Sequence, residues 1–365
     1  MEKKRVLFVT DAFGYGGAEK QLAFVAEGMI NHGHSIGICN LKQTGVYGGK
    51  RQVDDRIQLF VADIKYRNTF QSNYELIKFT FLIAKKFKPD LIVGFKLAGF
   101  YASVVGKLLH IPSVISERAD PYRTYKNASW MLQIKLWFIN HANGAVFQTK
   151  QAAAFFSKGL REKGVVIPNP VLVSSDLPSI DYSRLPKTLV YLGRLDNKQK
   201  RLDVMLDAFK LFVATYPNYS LKIYGNGPDE DLVKQWISDK GLNSFVTLMG
   251  VSKKPLHDLS REGIFVITSD FEGISNSLLE AMAIGMPVVS TDHTPGGARL
   301  LINNGVNGLL VPTGNADAFC HALSLYASDN SLAERCGRNA KSVLERFSPS
   351  RIYCMWETYL CNLCK

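Results

Sequence analysis

Short apolar runs alternate along this chain with longer segments of helical period. Val6 to Thr10, Leu91 to Gly94 and Ser113 to Ser116 are brief and mostly apolar. That is the pattern of strands buried on both faces of a parallel sheet. Ser35 to Asn40 and Ile57 to Val61 read as two more strands. Between them, residues 18–31, 74–87 and 98–109 carry apolar side chains at three- and four-residue spacing and predict helices. Lys88-Pro89-Asp90 breaks the second of these, because proline cannot continue a helix. The rhythm restarts after residue 187. Residues 188–192, 221–224, 246–249, 265–268 and 287–290 predict strands, and 202–216, 229–240, 277–284, 298–303 and 316–328 predict helices. Such alternation predicts an α/β fold with parallel sheets.

Residues 168–188 interrupt the pattern. Pro168, Pro170, Pro178 and Pro186 stand there among Ser and Asp, with no sustained period. The expectation is a domain at 1–170, a linker at 171–188 and a second domain from 189 to 345. Two domains suit 365 residues at roughly 150 residues per domain. Two β-α-β domains joined by a linker put a ligand cleft between them, with ligands at the carboxyl ends of the strands.

Composition excludes some classes. Hydrophobic residues make up 46% of the chain and charged residues 21%, and mean hydropathy is −0.02, as in an ordinary soluble protein. No run reaches about 18 uncharged apolar residues, the length of a membrane span. The run after Met1 to Arg5 is too short for a signal-peptide core. The expected location is therefore cytoplasmic. Six cysteines fit a reducing compartment. Cys361-x-x-Cys364 is half of a metal pattern whose second half is missing, so free thiols on a terminal helix are the plainer reading.

The charge is uneven. Residues 1–170 hold 24 Lys and Arg against 12 Asp and Glu, and residues 171–365 hold 20 of each. The whole excess of +12 lies in the first half. It points to an anionic partner for one domain only: nucleic acid, an acidic membrane surface or a phosphorylated substrate. Nucleic acid is disfavoured, because aromatic residues do not clearly interleave with the basic ones.

Glu272-Gly-Ile-Ser-Asn-Ser-Leu-Leu-Glu280 carries the most chemistry. Glu272 follows an apolar run, and Glu280 lies one turn inside a predicted helix. Gly273, Ser275 and Asn276 stand at the helix entrance, where free N–H groups and the helix dipole seat a phosphate. Carboxylates on both sides suit hydroxyls flanking a pyrophosphate, as in a nucleotide-sugar. The plain alternative is a strand-loop-helix connection with solvated glutamates. After the first strand of the second half, Arg194 and Lys200 are placed to hold a diphosphate, with Lys198 and Arg201 as substitutes. Two cations neutralise a leaving diphosphate without a metal. A charge run is otherwise just a solvated face.

Three glycine turns follow strands. Gly14-Tyr-Gly-Gly-Ala-Glu19 lets backbone approach a phosphate or sugar. It is not a dinucleotide fingerprint. Tyr224-Gly-Asn-Gly-Pro228 fits a nucleotide edge, and Thr294-Pro-Gly-Gly-Ala-Arg299 joins glycines to a cation. No metal-ligand spacing and no serine nucleophile elbow are present. His257 and His293 lack an obvious acid partner and read as exposed or packed histidines.

Gly16-Gly-Ala-Glu19, Gly193-Arg-Leu with a downstream lysine before Asp203, Tyr224-Gly-Asn-Gly-Pro228, Glu272-x7-Glu280 and Gly305-Val-Asn-Gly-Leu-Leu-Val-Pro312 occur in that order. Together they resemble the retaining family 4 glycosyltransferases of GT-B fold, over nearly the whole chain. Ser116-Glu-Arg-Ala-Asp-Pro-Tyr-Arg123 further resembles members that build bacterial surface polysaccharides, such as capsule or O-antigen.

The resemblance implies two Rossmann-like domains facing each other across a cleft, with a terminal helix, 346–365, crossing back to the first domain. It implies a retaining, metal-independent hexosyltransferase with a nucleotide-sugar donor, UDP being the expected nucleotide. The acceptor would be a lipid-pyrophosphate-linked or growing surface glycan. Glu272 would contact the donor sugar, and Glu280 the ribose hydroxyls. Arg194, Lys200 and the backbone of Gly273, Ile274 and Ser275 would clamp the diphosphate. Gly16 and Gly17 would face the cleft. The lysine spacing departs from the family pattern by one inserted residue, which sets Lys198 against Lys200; Lys200 keeps the expected distance to Asp203. Relatives often have histidine at the position of Arg118, which suggests an acceptor-side or sugar-side role. No cofactor or metal is expected. The basic first domain would sit on the anionic inner face of the cell membrane. The alternatives are a nucleotide-sugar 2-epimerase of the same architecture and a catalytically silent GT-B partner.

Overall fold

The computed structural model describes residues 2–14, 16–42, 54–63, 69–126, 128–173 and 176–364. The chain forms two units, one of residues 1–170 with 350–365 and one of residues 171–349.

The first unit contains strands β1 (Arg5–Thr10), β2 (Ser35–Asn40), β3 (Gln58–Val61), β4 (Leu91–Phe95), β5 (Ser113–Ser116), β6 (Gly144–Phe147) and β7 (Gly164–Val166). Its helices are α1 (Gly17–Asn31), α2 (Thr69–Phe87), α3 (Gly99–Leu109), α4 (Pro121–Thr124), α5 (Trp130–Asn140), α6 (Lys150–Ala154) and α7 (Lys158–Lys163). The strands are parallel, in the order β3-β2-β1-β4-β5-β6-β7. Val6, Leu7, Phe8 and Val9 are fully buried, because helices cover both faces of a sheet built by such crossovers.

The second unit has a six-stranded sheet of β8 (Thr188–Leu192), β9 (Ser220–Tyr224), β10 (Val246–Gly250), β11 (Ile264–Ile267), β12 (Val288–Thr291) and β13 (Leu309–Val311). The order is β10-β9-β8-β11-β12-β13, again all parallel. Its helices are α8 (Asn197–Lys200), α9 (Leu202–Thr215), α10 (Glu230–Asp239), α11 (Pro255–Leu259), α12 (Asn276–Ile284), α13 (Gly297–Leu301), α14 (Ala316–Ser328), α15 (Asn330–Ala340) and α16 (Val343–Arg346). Strand order reverses beside β1 in the first sheet and beside β8 in the second. Such switch points open a crevice at the carboxyl ends of the strands, where ligands bind.

One stretch differs from the sequence expectation. The supposed linker packs on the second unit. Tyr182 is buried there, and its hydroxyl donates to the Gly285 carbonyl at 2.6 Å. A buried aromatic with a satisfied hydroxyl helps to tie this proline-rich segment down. Ser174 and Ser175 of this stretch lie outside the described residues. The terminal helix α17 (Pro349–Asn362) belongs to the first unit. There Trp356 is fully buried and stacks on Phe95 with centroids 6.2 Å apart. Glu357 Oε1 lies 3.0 Å from His32 Nδ1 and 3.1 Å from His34 Nε2. Among the described residues, no helix is long and apolar enough to cross a membrane.

Candidate functional site

The switch point of the second sheet is lined by the loops after β8, β11 and β12. Their meeting follows from local sequence. The loop after β8 ends in α8, and Arg201 then adopts a left-handed backbone with φ of 50°. This conformation is unfavourable for arginine. It is held because the guanidinium reaches Asp203 at 3.0 Å and Asp270 at 3.2 Å. The Thr268 hydroxyl, just past β11, donates to the Lys200 carbonyl at 2.9 Å. Asp270 N–H donates to the Gln199 carbonyl at 2.9 Å. The two loops are thereby stitched together, and Lys200 is aimed across the seam.

Lys200 meets Glu272. Its ammonium donates to Glu272 Oε1, and both side chains are buried, 12% and 8% exposed. The Ser269 hydroxyl donates to the same oxygen at 2.6 Å. Burial works to raise the Glu272 carboxyl. The charges of Lys200 and His293 and the bonds from Lys200 and Ser269 outweigh it, and the group stays below its ordinary value. Glu272 is therefore an anion at neutral pH.

His293, after β12, is buried beside this cluster, as expected of a packed histidine. Burial pushes its imidazole down, partly opposed by the Glu272 carboxylate. Neither ring nitrogen makes a hydrogen bond of ordinary geometry. His257 is exposed, as expected, with its Nδ1 3.6 Å from Asp258 on α11.

The seam runs into the start of α12. Ser275 caps that helix by accepting from Leu278 N–H, and Gly285 ends it at φ of 88°. The first intrahelical bond runs from Leu279 N–H to the Ser275 carbonyl. The amides of Asn276 and Ser277 precede that ladder, at the positive end of the helix dipole. Gly273 lies against Gly297, where an added Cβ would stand 1.7 Å from the Gly273 carbonyl oxygen. Only glycine permits that approach. Glu280 is half-buried on the second turn of α12. Arg194 is 38% exposed and lies 3.5 Å from Asp196. Lys198 is exposed, so Lys200 is the lysine that reaches Glu272. The turn at 224–228 packs on the loop after β8, with Leu195 N–H donating to the Asn226 carbonyl at 2.9 Å. Arg299 folds back onto Asp292 on the surface.

Two family models match in succession. "Glycosyltransferase Family 4" matches residues 15–174 and "Glycosyl transferases group 1" matches residues 183–343. The chain belongs to the family 4 glycosyltransferases, of GT-B fold. It is 26% identical over 274 residues to an uncharacterized glycosyltransferase of Methanocaldococcus jannaschii, covering 68% of this chain and 67% of that one. It is 30% identical over 172 residues to an N-acetylgalactosamine-N,N'-diacetylbacillosaminyl-diphospho-undecaprenol 4-alpha-N-acetylgalactosaminyltransferase of Campylobacter jejuni, which covers 47% of this chain and 46% of that relative. Its fold matches Anabaena HepE, solved with UDP and glucose, at a TM-score of 0.79 and 18% identity over 98% of this chain and 100% of that chain.

In the glycosyltransferase's first unit, Gly16 caps α1 with extended backbone and Gly17 begins it. The Glu19 carboxylate folds back against Gly16 and lies 3.6 Å from Lys96, beyond β4. Tyr15 lies outside the described residues. Arg118 is buried. Its Nε donates to Ser116 Oγ at 2.8 Å, its Nη1 to the Ile167 carbonyl at 3.2 Å, and its guanidinium lies 4.9 Å from the Trp356 ring centroid. These contacts pin it beneath α17, although Nη2 has no partner. Burial lowers this guanidinium to about 9. Beside it, Glu117 accepts from the Arg118 and Ala119 amides, both at 2.9 Å. Burial pushes the Glu117 carboxyl up to about 7. Among the described residues, no group of three His, Cys, Asp or Glu is placed to hold a metal ion.

Proposed function

We propose that this glycosyltransferase moves a hexose, with retention, from UDP to a lipid-pyrophosphate-linked or growing surface glycan. The observation that carries the donor reading is the buried Lys200–Glu272 pair at the switch point, beside the start of α12. Glu272 is the group for the donor sugar. Lys200 has three N–H donors, and Glu272 occupies one, which leaves two for the diphosphate. Arg194 is the second diphosphate cation, and the Gly273, Ile274 and Ser275 backbone completes the clamp. Glu280 takes the ribose hydroxyls. In the first unit, Gly16 and Gly17 at the start of α1 serve the acceptor or sugar. Arg118 acts there through the fold, holding the loop after β5. The two cations neutralise the departing diphosphate without a metal. Departure of the diphosphate and attack by the acceptor hydroxyl take place on one face of the sugar.

UDP and glucose bound to Anabaena HepE support the choice of nucleotide and of hexose. The diphospho-undecaprenol acceptor in the name of the Campylobacter relative supports the lipid-linked acceptor. The basic first half then serves at the anionic inner face of the membrane.

A donor screen is the test. The protein is incubated with UDP-, GDP- and ADP-sugars plus a lipid-pyrophosphate glycan, and nucleotide release is followed together with the anomeric configuration of the product. Preference for a GDP- or ADP-sugar overturns the nucleotide, and an inverted product overturns retention. Sugar isomerisation without an acceptor points to an epimerase. Absence of release with every donor points to a silent partner.

A further inference from the structure

Two helices of the first unit turn apolar residues outward. On α5 the exposed positions are Trp130, Gln133, Ile134 and Trp137, which share one helical face. Trp130 is 61% exposed and Trp137 53%. The opposite side of α5 meets the core through Ile139. On α2, Phe70, Tyr74, Lys78 and Leu82 recur every four residues and are all exposed. Single exposed apolar residues are ordinary on protein surfaces, but a continuous stripe is not.

The two stripes join. The Phe70 and Trp130 ring centroids are 6.1 Å apart. Asn73 Nδ2 lies 3.4 Å from Met131 Sδ. At the other end of α5, Lys107 of α3 stands 4.6 Å from the Trp137 ring centroid. The charge on these helices has nearly one sign. Lys78, Lys85, Lys86 and Lys107 are exposed against the single acid Glu75, while Lys135 turns inward over the Phe100 and Tyr101 rings.

We infer that the outward face of α2 and α5 docks on an anionic lipid bilayer, with Trp130, Trp137 and Tyr74 seated at headgroup depth. Trp and Tyr favour that layer because one end of the ring is apolar and the other polar. The lysines reach lipid phosphates while their stems stay on apolar surface. An apolar aromatic face bordered by lysines marks a helix lying in the interface rather than crossing it. The one-sided charge selects a bilayer over an apolar protein partner, which would present both signs. The inference rests on the proposed membrane location and is independent of the donor chemistry.

The test uses the full chain with phosphatidylcholine vesicles, with and without phosphatidylglycerol. Sedimentation measures binding. Tryptophan emission reports depth, since Trp356 is buried and Trp236 belongs to the second unit. The wild type should bind anionic vesicles, shift its emission to the blue, and remain partly bound in 1 M salt, where screening falls to about 3 Å but apolar contact persists. Trp130→Ala with Trp137→Ala should weaken binding by about tenfold or more and remove the blue shift. The melting temperature and UDP affinity of that variant should stay at wild-type values, since both side chains are exposed. Complete release by salt without a blue shift overturns insertion in favour of surface charge. So does a double variant that binds as the wild type does. A vesicle-independent dimer that the double variant dissolves makes the face a self-contact instead. Loss of UDP binding with intact vesicle binding would sink the donor reading and leave the docking face standing.

Discussion

Lys200 and Glu272 are 72 residues apart in the chain, yet the lysine ammonium donates to the glutamate Oε1 inside the second unit. The pair is buried and shares its oxygen with Ser269. Removing one partner of such a pair leaves an uncompensated charge and costs about 3–5 kcal/mol. Lys200→Ala should therefore lower the melting temperature and also slow nucleotide release by about tenfold or more. Adding Glu272→Leu should restore part of the stability but none of the activity. Lys198→Ala should leave both near wild type, and a damaging Lys198→Ala with a silent Lys200→Ala would move the diphosphate role to Lys198.

The two glutamates of the α12 segment should separate kinetically. Glu280 is assigned to ribose hydroxyls, which donor and product share, so its contribution is uniform binding. Calorimetry with UDP should show weaker binding for Glu280→Ala and little change for Glu272→Gln. Turnover should fall mainly in Glu272→Gln. The reverse ranking would exchange the two assignments.

Glu117 makes the first unit sensitive to pH. Burial raises its carboxyl to about 7 in the folded state, above the value of 4.5 for the free group. A raised acid binds its proton more tightly when folded. Its contribution to stability is therefore complete below about pH 4.5 and is lost as pH rises through about 7. Thermal melts from pH 5 to 8 should show this loss in the wild type and a flatter profile in Glu117→Gln. An identical slope in both proteins would place the carboxyl elsewhere in its titration.

Helix α17 is held by Trp356, which is fully buried against Phe95 and Arg118. Truncating a buried tryptophan to alanine costs about 3–5 kcal/mol. Trp356→Ala should lower the melting temperature by several degrees and raise hydrogen exchange in α17 and around His34. UDP affinity should be untouched, because the donor residues belong to the second unit. Unchanged exchange in α17 would mean that Glu357, on His32 and His34, and Tyr359, whose hydroxyl accepts from Ala145 N–H at 2.8 Å, hold the helix without it.

Chelation tests the cation clamp. If Arg194 and Lys200 neutralise the diphosphate as proposed, activity should persist in EDTA. Loss that Mg²⁺ restores would replace the two side chains by a metal. Arg194→Ala should slow turnover by about tenfold, the scale of 1.4 kcal/mol.

What the sequence determined by itself was the local order. Short continuous apolar runs and the 3.6-residue period are both written within one segment, so β1, β4 and β8, or α1 and α9, were legible within a residue or two. The glycine turns and Glu272-x7-Glu280 were equally local, and they sufficed to place the family. β6, β7 and β13 were not read from the sequence. The pairing of Lys200 with Glu272 was beyond reach for a different reason. It exists because β11 lies beside β8, and because the left-handed turn at Arg201 is stitched to Thr268 and Asp270. His293 joined that cluster only when β12 was laid beside β11. The outward stripe on α5 has the same origin. Its residues are mostly apolar, and only the packing of Ile139 into the core decides that Trp130 and Trp137 are left facing out. Backbone geometry is written in neighbouring residues, whereas the partners of a side chain depend on which distant segments share a sheet.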